Sequence, residues 1–390
     1  MARGFAVGML SGLAVAAVAE AARPLGGRAE VIDWDAVRRH ARRRLKDAGP
    51  QPAGEKAELA ARYARLAADV HQPLFDVVGG PAIEMSAFEP LGRIEWVDVN
   101  VDIIRRVLDP VIAEAGIPRS RITDAGQAAV DRYVSTLLVF LSSRVLGQFD
   151  PQLMGREPIA PTRLLDMGGT PPLRRAGPSP SPRRPPLYLV EPNVAQWEAE
   201  AQLAGDDLRR WLILHESTHA WQFQAHPWLI GHMNDALEQL LAVAGHRRQG
   251  VARLVGMTIG LPSQWATVRR MQATMSLIEG YSNLVMSLAG RRVLDSYDAL
   301  DAAYRKRSDQ KSPLEVLFWK VTGLDMKLEQ YRRGEAFSRA VYEAHGMDVL
   351  NRAWESEANL PRPEELLRPE QWVARVSGRA AGRRRALPAS

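Results

Sequence analysis

Five consecutive residues, His215-Glu216-Ser217-Thr218-His219, form the pattern H-E-x-x-H. On an α-helix, residues four apart lie on one face, so His215 and His219 can bind one metal ion through their imidazoles. Glu216 follows the first histidine and can reach a water molecule on that ion as a general base. A chain of this length would show the pattern by chance roughly 0.01 times, so it is a specific signal for a zinc site.

The segment that carries the motif has the features of a helix. Asp206 and Asp207 offer an N-cap and favourable charge in the first turn, and no Gly or Pro interrupts before Pro227. The apolar spacing predicts a helix over about 207–225. Upstream, residues 187–190 (LYLV) predict a short strand, and an edge strand in this place could align an extended substrate.

A catalytic zinc ion needs a third protein ligand and an open position for water. A third histidine six residues after His219, with glycine halfway, is absent here. Glu279 instead lies in the apolar, helical segment 271–288, where a buried carboxylate is costly unless something such as zinc pairs with it. We therefore predict Glu279 as the third ligand. Asn283, four residues further on the same face, is a candidate for orienting a ligand.

Each assignment has an alternative. The motif could lie on an ordinary amphipathic surface helix, and Glu279 could form a structural ion pair with Arg269 or Arg270. A fourth protein ligand would make the metal structural rather than catalytic. The rival ligands are His226, His232, Asp235 and His246.

Hydrolysis of an amide also requires a hydrogen-bond donor for the tetrahedral oxyanion. The sequence offers four candidates for this donor without ranking them: Tyr281, Tyr331, His232 and His345. A tyrosine in an amphipathic helix is more often packed with its hydroxyl at the rim, so a packing role competes with catalysis at the two tyrosines.

The sequence also resembles an actinobacterial family of zincin-like zinc-dependent metalloproteases, whose members are labelled as associated with coenzyme F420 biosynthesis. The similar stretches span about residues 31–376: VIDWDAV (31–37), VLGQFDP (145–151), LYLVEPNV (187–194), LHESTHAWQFQAHPWL (214–229), MSLIEGYSNLVM (275–286), GLDMKLEQYRRGEAF (323–337) and WVARV (372–376). The resemblance implies a zincin-type fold with His215, His219 and Glu279 as metal ligands and Glu216 as the catalytic acid/base. A long Pro/Arg-rich insert and an apolar N-terminal segment depart from it.

The composition limits the classes of protein and site. The chain has 390 residues, 46% of them hydrophobic, which is enough for the core of one large domain or two small ones. The absence of cysteine excludes disulfides and thiolate metal sites. The net charge of +6 comes without a nucleic-acid recognition motif, so we expect a solvated basic surface and no nucleic-acid partner.

The sequence predicts three parts: an apolar segment (1–30), a zincin-like domain (31–376) and a basic, mobile tail (377–390). The first part approaches the ~20 residues that cross a bilayer and could be an anchor or a signal peptide. The arginines that follow it favour a cytoplasmic body, with membrane association through this segment as an option and export as the alternative. The insert at about 171–186 (PPLRRAGPSPSPRRPP) is predicted to be a disordered loop beside the cleft.

The predicted fold class is mainly α, of the α+β zincin-like type, with a small sheet beside the motif helix. The cleft is expected between the helices at 207–225 and 264–290. A short strand or turn is predicted at 93–101, and a Pro-punctuated tail from Leu360. The other helices are predicted at about 33–46, 54–72, 102–115, 123–149, 231–249, 296–306, 313–332, 334–345 and 347–355.

These observations favour a zinc-dependent, metallopeptidase-like hydrolase that cleaves a peptide or amide bond of a peptide or protein substrate. A metal-activated water would be the nucleophile, and Glu216 would serve as general base and then acid. One alternative is a non-catalytic binding protein on a zincin scaffold, although metal binding alone does not require Glu216. The other is a zinc hydrolase of a small non-peptide amide or ester.

Overall fold

The computed structural model describes residues 31–45, 53–115, 124–153, 186–245, 251–309 and 327–386. Within these ranges the chain forms eleven α-helices and one sheet of three short strands. The predicted mainly α class with a small sheet is therefore confirmed. The N-terminal segment 1–30 and residues 171–185 of the predicted disordered insert lie outside the described residues.

The elements follow in chain order. The first half contains α1 (Trp34–Arg44), α2 (Ala53–Val78), β1 (Phe88–Leu91), α3 (Arg93–Ala115), α4 (Asp124–Ser142), β2 (Gly147–Phe149), β3 (Leu187–Val190) and α5 (Glu191–Ala201). The second half contains α6 (Gly205–Gln224), α7 (Trp228–Gly245), α8 (Val251–Val293), α9 (Tyr297–Asp309), α10 (Lys327–Leu350), three short 3-10 helices (Asn351–Trp354, Glu357–Asn359 and Glu365–Leu367) and α11 (Pro369–Ala386).

The sheet has the order β1-β3-β2, so the predicted strand at 187–190 is central and not an edge strand. It pairs in parallel with β1 and antiparallel with β2, and all four of its residues are buried. The expectation that this strand aligns a substrate is therefore wrong, because both of its hydrogen-bonding sides are occupied. The sheet packs against α6 through β2 and β3.

Two elements of the structure differ from the sequence prediction, and local contacts explain both differences. Residues 93–101 are not a strand but the first turns of α3, because the Glu95 carboxylate accepts a hydrogen bond from the Gly92 N–H (2.8 Å) and the Gly92 carbonyl accepts the first helical bond. The predicted helix at 123–149 ends at Ser142. There the Asn193 side chain donates to the carbonyls of Ser142 (2.7 Å) and Val145 (2.6 Å), and β2 follows.

The C-terminal region is more helical than predicted. The break between the two helices expected at 334–345 and 347–355 is confirmed, because the backbone of α10 is non-helical at Gly346 (φ 79°, ψ 176°); the second helix continues into a 3-10 turn. The tail that was expected from Leu360 contains α11, which runs to Ala386. Residues 310–326, which include most of the helix predicted at 313–332, lie outside the described ranges.

Helix α6 is the buried centre of the molecule, and every residue from Trp211 to Phe223 is buried. Its first turns are fixed by Arg209, a buried residue that forms ion pairs with Glu191 and Glu198 of α5. The Tyr63 hydroxyl of α2 donates to the same Glu191 carboxylate. These contacts join α6 to α5 and α2 ahead of the motif.

Helix α8 packs against both α6 and α10. Its crossing with α10 is a contact between two backbones, since a Cβ atom on Gly280 would lie 2.1 Å from the Gly334 carbonyl carbon. A Cβ atom on Gly334 would lie 1.9 Å from the Ser276 carbonyl oxygen. Only residues without a side chain fit this crossing, which lies next to Glu279 in the chain.

None of the helices in the described ranges combines the length and the apolar character that a membrane span requires. The predicted anchor or signal segment is not among these residues, so its role stays a prediction.

Candidate metal centre

Helices α6 and α8 bring the three predicted ligands into one buried cluster. The Nε2 atoms of His215 and His219 lie 3.1 Å apart. The Oε2 atom of Glu279 lies 3.9 Å from the His215 Nε2 and 3.7 Å from the His219 Nε2. All three residues are buried, and their donor atoms face one another.

This geometry fits a divalent metal ion of the size of zinc. Ligand atoms about 2.0–2.2 Å from a tetrahedral ion are separated by roughly 3.3 Å, close to the three distances in this cluster. Two imidazoles and a carboxylate form a donor set of catalytic zinc sites. The pKa of His215 lies well below its ordinary value because burial disfavours the imidazolium and His219 is adjacent. His215 is therefore neutral, which is the form that binds a metal.

Two side chains that the sequence analysis did not assign hold the His219 ring. The Nδ1 atom of His219 lies 2.9 Å from the Gln222 Oε1 and 3.3 Å from the Ser282 Oγ. The Gln222 Nε2 in turn donates to the Ile278 carbonyl of α8 (2.9 Å). A proton on Nδ1 that is donated to Gln222 leaves the Nε2 lone pair for the metal. The sequence feature that could have identified this contact is the position of Gln222, one helical turn after His219.

Glu216 lies against the edge strand β2. Its carboxylate is buried, its Oε1 has no hydrogen-bond partner among the described residues, and a Cβ atom on Gly147 would lie 2.8 Å from that oxygen. Burial raises the pKa of Glu216 to about 8, the charge of Glu279 acts in the same direction, and the Phe149 backbone N–H opposes it. A buried carboxylate without full hydrogen bonding is available to accept a proton.

The other predicted site residues have contacts elsewhere. Asn283 directs its Nδ2 to the Glu335 Oε2 of α10 (3.5 Å) and not to a ligand. The Tyr281 hydroxyl donates to the Asn351 Oδ1 (2.8 Å), while its buried ring stacks on Trp221. His345 is exposed, and the side chain of Tyr331, a residue of α10, lies outside the described residues.

The rival ligands are not brought to the cluster. His232 contacts Thr274 (3.3 Å) and Glu357 (3.1 Å), and His226 contacts the Gln222 carbonyl (3.0 Å). Among the described residues, the cluster of His215, His219 and Glu279 is the one group of three or more possible ligands. Of the other rival ligands, Asp235 is exposed and His246 lies outside the described residues. Arg269 and Arg270, the possible ion-pair partners of Glu279, are exposed.

The alternatives to a catalytic metal site therefore receive no support. No fourth protein ligand joins the cluster in the described part of the chain, and an ion pair of Glu279 with Arg269 or Arg270 would need a buried carboxylate to meet an exposed guanidinium. The motif helix is also buried, so it is not a surface helix.

Known proteins resemble this chain in sequence and in fold. The sequence profile of the zincin-like metallopeptidases matches residues 32–373. A crystal structure from Chloroflexus aurantiacus, described as that of a candidate hydrolase with a novel fold, is similar with a TM-score of 0.65 and 31% identity, covering 89% of this chain and 99% of that chain. A search of curated proteins finds no significant match. The family match extends over most of the chain and includes His215, His219 and Glu279, and the chain therefore belongs to the zincin-like metallopeptidases.

Proposed function

We propose that this protein is a zinc-dependent hydrolase that cleaves peptide or amide bonds at the cluster of His215, His219 and Glu279. The observation that carries the proposal is the placement of a fourth group, the buried Glu216 carboxylate, beside three converging metal donors. Metal binding alone would not require this carboxylate, whereas hydrolysis requires a base at this position.

The residues of the chain divide the chemistry as follows. A bound zinc ion supplies a more acidic water and polarises the substrate carbonyl. The Glu216 carboxylate accepts the proton of the attacking water and delivers it to the leaving nitrogen. Burial favours the protonated form between these two transfers. Gln222 and Ser282 hold the His219 ring, and Glu279 completes the donor set.

The edge strand β2 supports a peptide as the substrate. The Val190 N–H donates to the Leu146 carbonyl (2.8 Å) and the Asp150 N–H donates to the Pro186 carbonyl (3.3 Å), so the even-numbered residues face β3. Backbone groups alternate along a strand, and those of Gly147 and Phe149 therefore point to the other side, where the Phe149 N–H interacts with the Glu216 carboxylate. An extended peptide could pair there by strand addition. Among the candidate oxyanion donors, Tyr281 and His232 are engaged elsewhere, so the identity of the donor stays a prediction.

Elemental analysis combined with a peptidase assay tests the proposal. We expect about one zinc per chain in the wild-type protein and loss of zinc in His219→Ala and Glu279→Ala. Glu216→Gln should keep the zinc and lose hydrolysis of an unstructured, fluorogenic peptide library by at least about 10²-fold.

Three outcomes separate the alternatives. Wild-type protein without metal, even after reconstitution with zinc, would refute the proposal. Zinc binding together with hydrolysis that Glu216→Gln does not reduce would indicate a non-catalytic scaffold with a contaminating activity. Zinc and cleavage of small amide or ester substrates, with no cleavage of peptides, would favour the small-molecule hydrolase.

A further inference from the structure

Strand β2 carries two backbone groups that face the Glu216 carboxylate. A Cβ atom on Gly147 would lie 2.8 Å from the Glu216 Oε1, and the Phe149 N–H interacts with the same carboxylate. Because both contacts involve the main chain, the place of Glu216 depends on the place of the strand. Whatever holds β2 therefore also holds the base of the proposed hydrolysis.

The sheet alone gives this strand little support. β2 is three residues long, and among the described strands it pairs with β3 alone. A strand at the edge of a sheet has ladder hydrogen bonds on one side only, and a strand of this length forms few of them. Side-chain contacts that involve helix α3 supply further support before the strand, at its centre and after it.

The first contact lies just before β2. The Asn193 side chain donates to the Val145 carbonyl (2.6 Å) as well as to the Ser142 carbonyl (2.7 Å). Arg93, the first residue of α3, donates its Nε to the Asn193 Oδ1 (2.7 Å). This bond fixes the orientation of the amide, because a reversed amide would direct its NH2 group at the guanidinium. The chain is thus fixed two residues ahead of Gly147.

The second contact holds the centre of the strand. Gln148 and Asn100 are both buried, and their amides exchange two hydrogen bonds. The Asn100 Nδ2 donates to the Gln148 Oε1 (3.0 Å), and the Gln148 Nε2 donates to the Asn100 Oδ1 (3.3 Å). The Asn100 Nδ2 also donates to the Trp96 carbonyl (2.8 Å), one turn earlier on α3. Side chains alternate along a strand, so this pair holds β2 on the face opposite to that of Gly147.

The third contact lies just after β2. The Arg106 Nη2 contacts both carboxylate oxygens of Asp150 (3.1 Å each), and the Arg106 Nε donates to the Leu153 carbonyl (3.1 Å). Asp150 is buried, and its Oδ1 accepts a hydrogen bond from the Gln152 N–H (2.8 Å), where the backbone has a positive φ of 54°. One arginine of α3 thus binds both ends of the loop at 150–153, which fixes where the strand ends.

We propose that Asn100 and Arg106 are positioning residues that hold β2, and through it the Glu216 carboxylate, in the place that hydrolysis requires. This inference rests on the proposed function, because it assigns a role in the same reaction. Both residues lie on α3, and neither belongs to the cluster of metal ligands or to the helices that carry it. Their loss should therefore lower turnover and leave zinc binding unchanged.

Hydrogen–deuterium exchange of the purified, full-length protein, measured beside peptide hydrolysis, tests the proposal. In Arg106→Gln we expect the backbone amides of residues 147–150 to exchange about tenfold faster, because hydrogen bonds to a charged group are lost. Exchange in β1 should stay as in the wild type, which separates a local effect from general destabilisation. We expect kcat per bound zinc to fall about tenfold, with a smaller change in KM, because a small displacement of a catalytic group slows the reaction.

Arg105→Gln is the matched control for Arg106→Gln. Arg105 is the neighbouring residue of α3 and pairs with Asp109 on the same helix (3.0 Å), so exchange and kcat should stay at the wild-type values. Gln148→Met is a second test, at the centre of the strand, should Arg106→Gln not fold. Methionine keeps the length of the side chain without an amide, and we expect it to change exchange and kcat in the same direction.

Each measurement can contradict the proposal. Unchanged exchange over 147–150 in both variants would show that α3 does not hold β2. Faster exchange with unchanged kcat would show that the strand does not position Glu216, and zinc lost from both variants would place the effect at the metal ligands. A wild-type protein that binds zinc and cleaves no amide would refute the proposed function and with it the positioning role. The exchange result is independent of activity and would still show whether α3 holds the strand.

Discussion

Gln222 connects the two helices that carry the predicted metal ligands. It contacts the His219 ring on its own helix and the Ile278 carbonyl on α8. Such contacts fix the ring and its tautomer, and their loss typically weakens metal binding by 10–100-fold. The site therefore depends on a residue that is itself not a ligand.

Replacement of Gln222 should weaken zinc binding without abolishing it. We expect Gln222→Ala to lower the zinc affinity by about 10–100-fold, measured by competition with a chromogenic chelator. Asn283→Ala is the matched control, because Asn283 contacts Glu335 and not a ligand. Equal losses in the two variants would show that the effect is general destabilisation and that Gln222 does not orient the histidine.

Gly147 determines where the Glu216 carboxylate lies. A Cβ atom at this position would come within 2.8 Å of the Glu216 Oε1, so Gly147→Ala must displace the carboxylate. We expect zinc content to stay at the wild-type level. We expect kcat to fall about 10²-fold, since misplacing a catalytic group by about 1 Å costs roughly that factor. The measurement is peptide hydrolysis beside elemental analysis.

Gly231→Ala serves as the control for Gly147→Ala, since a Cβ atom at Gly231 meets nothing within 4 Å. Unchanged kcat in Gly147→Ala would mean that the strand does not position Glu216. Loss of zinc would instead point to a wider distortion of α6.

At the scale of elements, we expect the crossing of α8 and α10 to set the distance of the predicted third ligand, Glu279, from α6. Glu279 precedes Gly280, where the two backbones touch. A methyl group there must separate the helices or rotate α8, and overpacking of this kind costs about 1–3 kcal/mol. Because Glu279 moves with α8, the cost should appear both in stability and in zinc affinity.

We therefore expect Gly280→Ala and Gly334→Ala each to lower the free energy of unfolding by about 1–3 kcal/mol, measured by urea denaturation. Zinc affinity should fall in both variants. Gly378→Ala on α11 is the control, because its Cβ atom has open space and alanine is the better helix former. Wild-type stability in all three variants would show that the crossing tolerates a side chain.

At the scale of the whole molecule, we expect metal binding and folding to be coupled. The ligands come from α6 and α8, so a bound ion connects the buried centre of the molecule to its longest described helix. A ligand at 1,000 times its Kd stabilises the native state by about 4 kcal/mol. Removal of zinc with a chelator should lower the Tm correspondingly, by calorimetry. In His215→Ala the chelator should leave the Tm unchanged; an equal drop there would place the stabilising metal elsewhere.

The stability of the whole molecule should also depend on pH through Asp131. Its carboxylate accepts a hydrogen bond from the Asp33 N–H ahead of α1 (2.9 Å), and it is buried in α4. Burial raises the pKa of Asp131 to about 6; the Asp33 N–H and Arg39 oppose this rise and the Asp33 charge adds to it. The folded state thus resists ionisation more than the unfolded chain. The contribution of the protonated Asp131 to stability is therefore complete below the ordinary pKa of 3.8 and is lost as the pH rises through about 6.

Asp131→Asn keeps the hydrogen-bond acceptor and removes the buried charge. We expect the Tm of this variant to exceed the wild-type Tm at pH 7.5 and to approach it near pH 4. Calorimetry across this pH range measures the difference. Asp235→Asn, at an exposed position, should follow the wild type throughout. A constant Tm difference across the pH range would show that Asp131 does not titrate between the two states.

Sequence alone determined the features that depend on local backbone geometry. The spacing of four between His215 and His219 predicts one helix face, and the apolar surroundings of Glu279 predict a carboxylate that needs a buried partner. The mainly α class also follows from such periodicity, and the family match and the structure confirm it. Metal binding by these residues stays a prediction until it is measured.

Only the tertiary structure decided what depends on contacts between distant segments. Whether residues 187–190 lie at the edge or the centre of the sheet depends on two other strands, and the period of a strand is the same in both places. The helix that starts at Asp124 ends at Ser142 where the Asn193 side chain binds its last carbonyls. Gly147 was inconspicuous in sequence because its role is to leave space for Glu216. Periodicity predicts the face of a helix, but the partner of that face is set by packing.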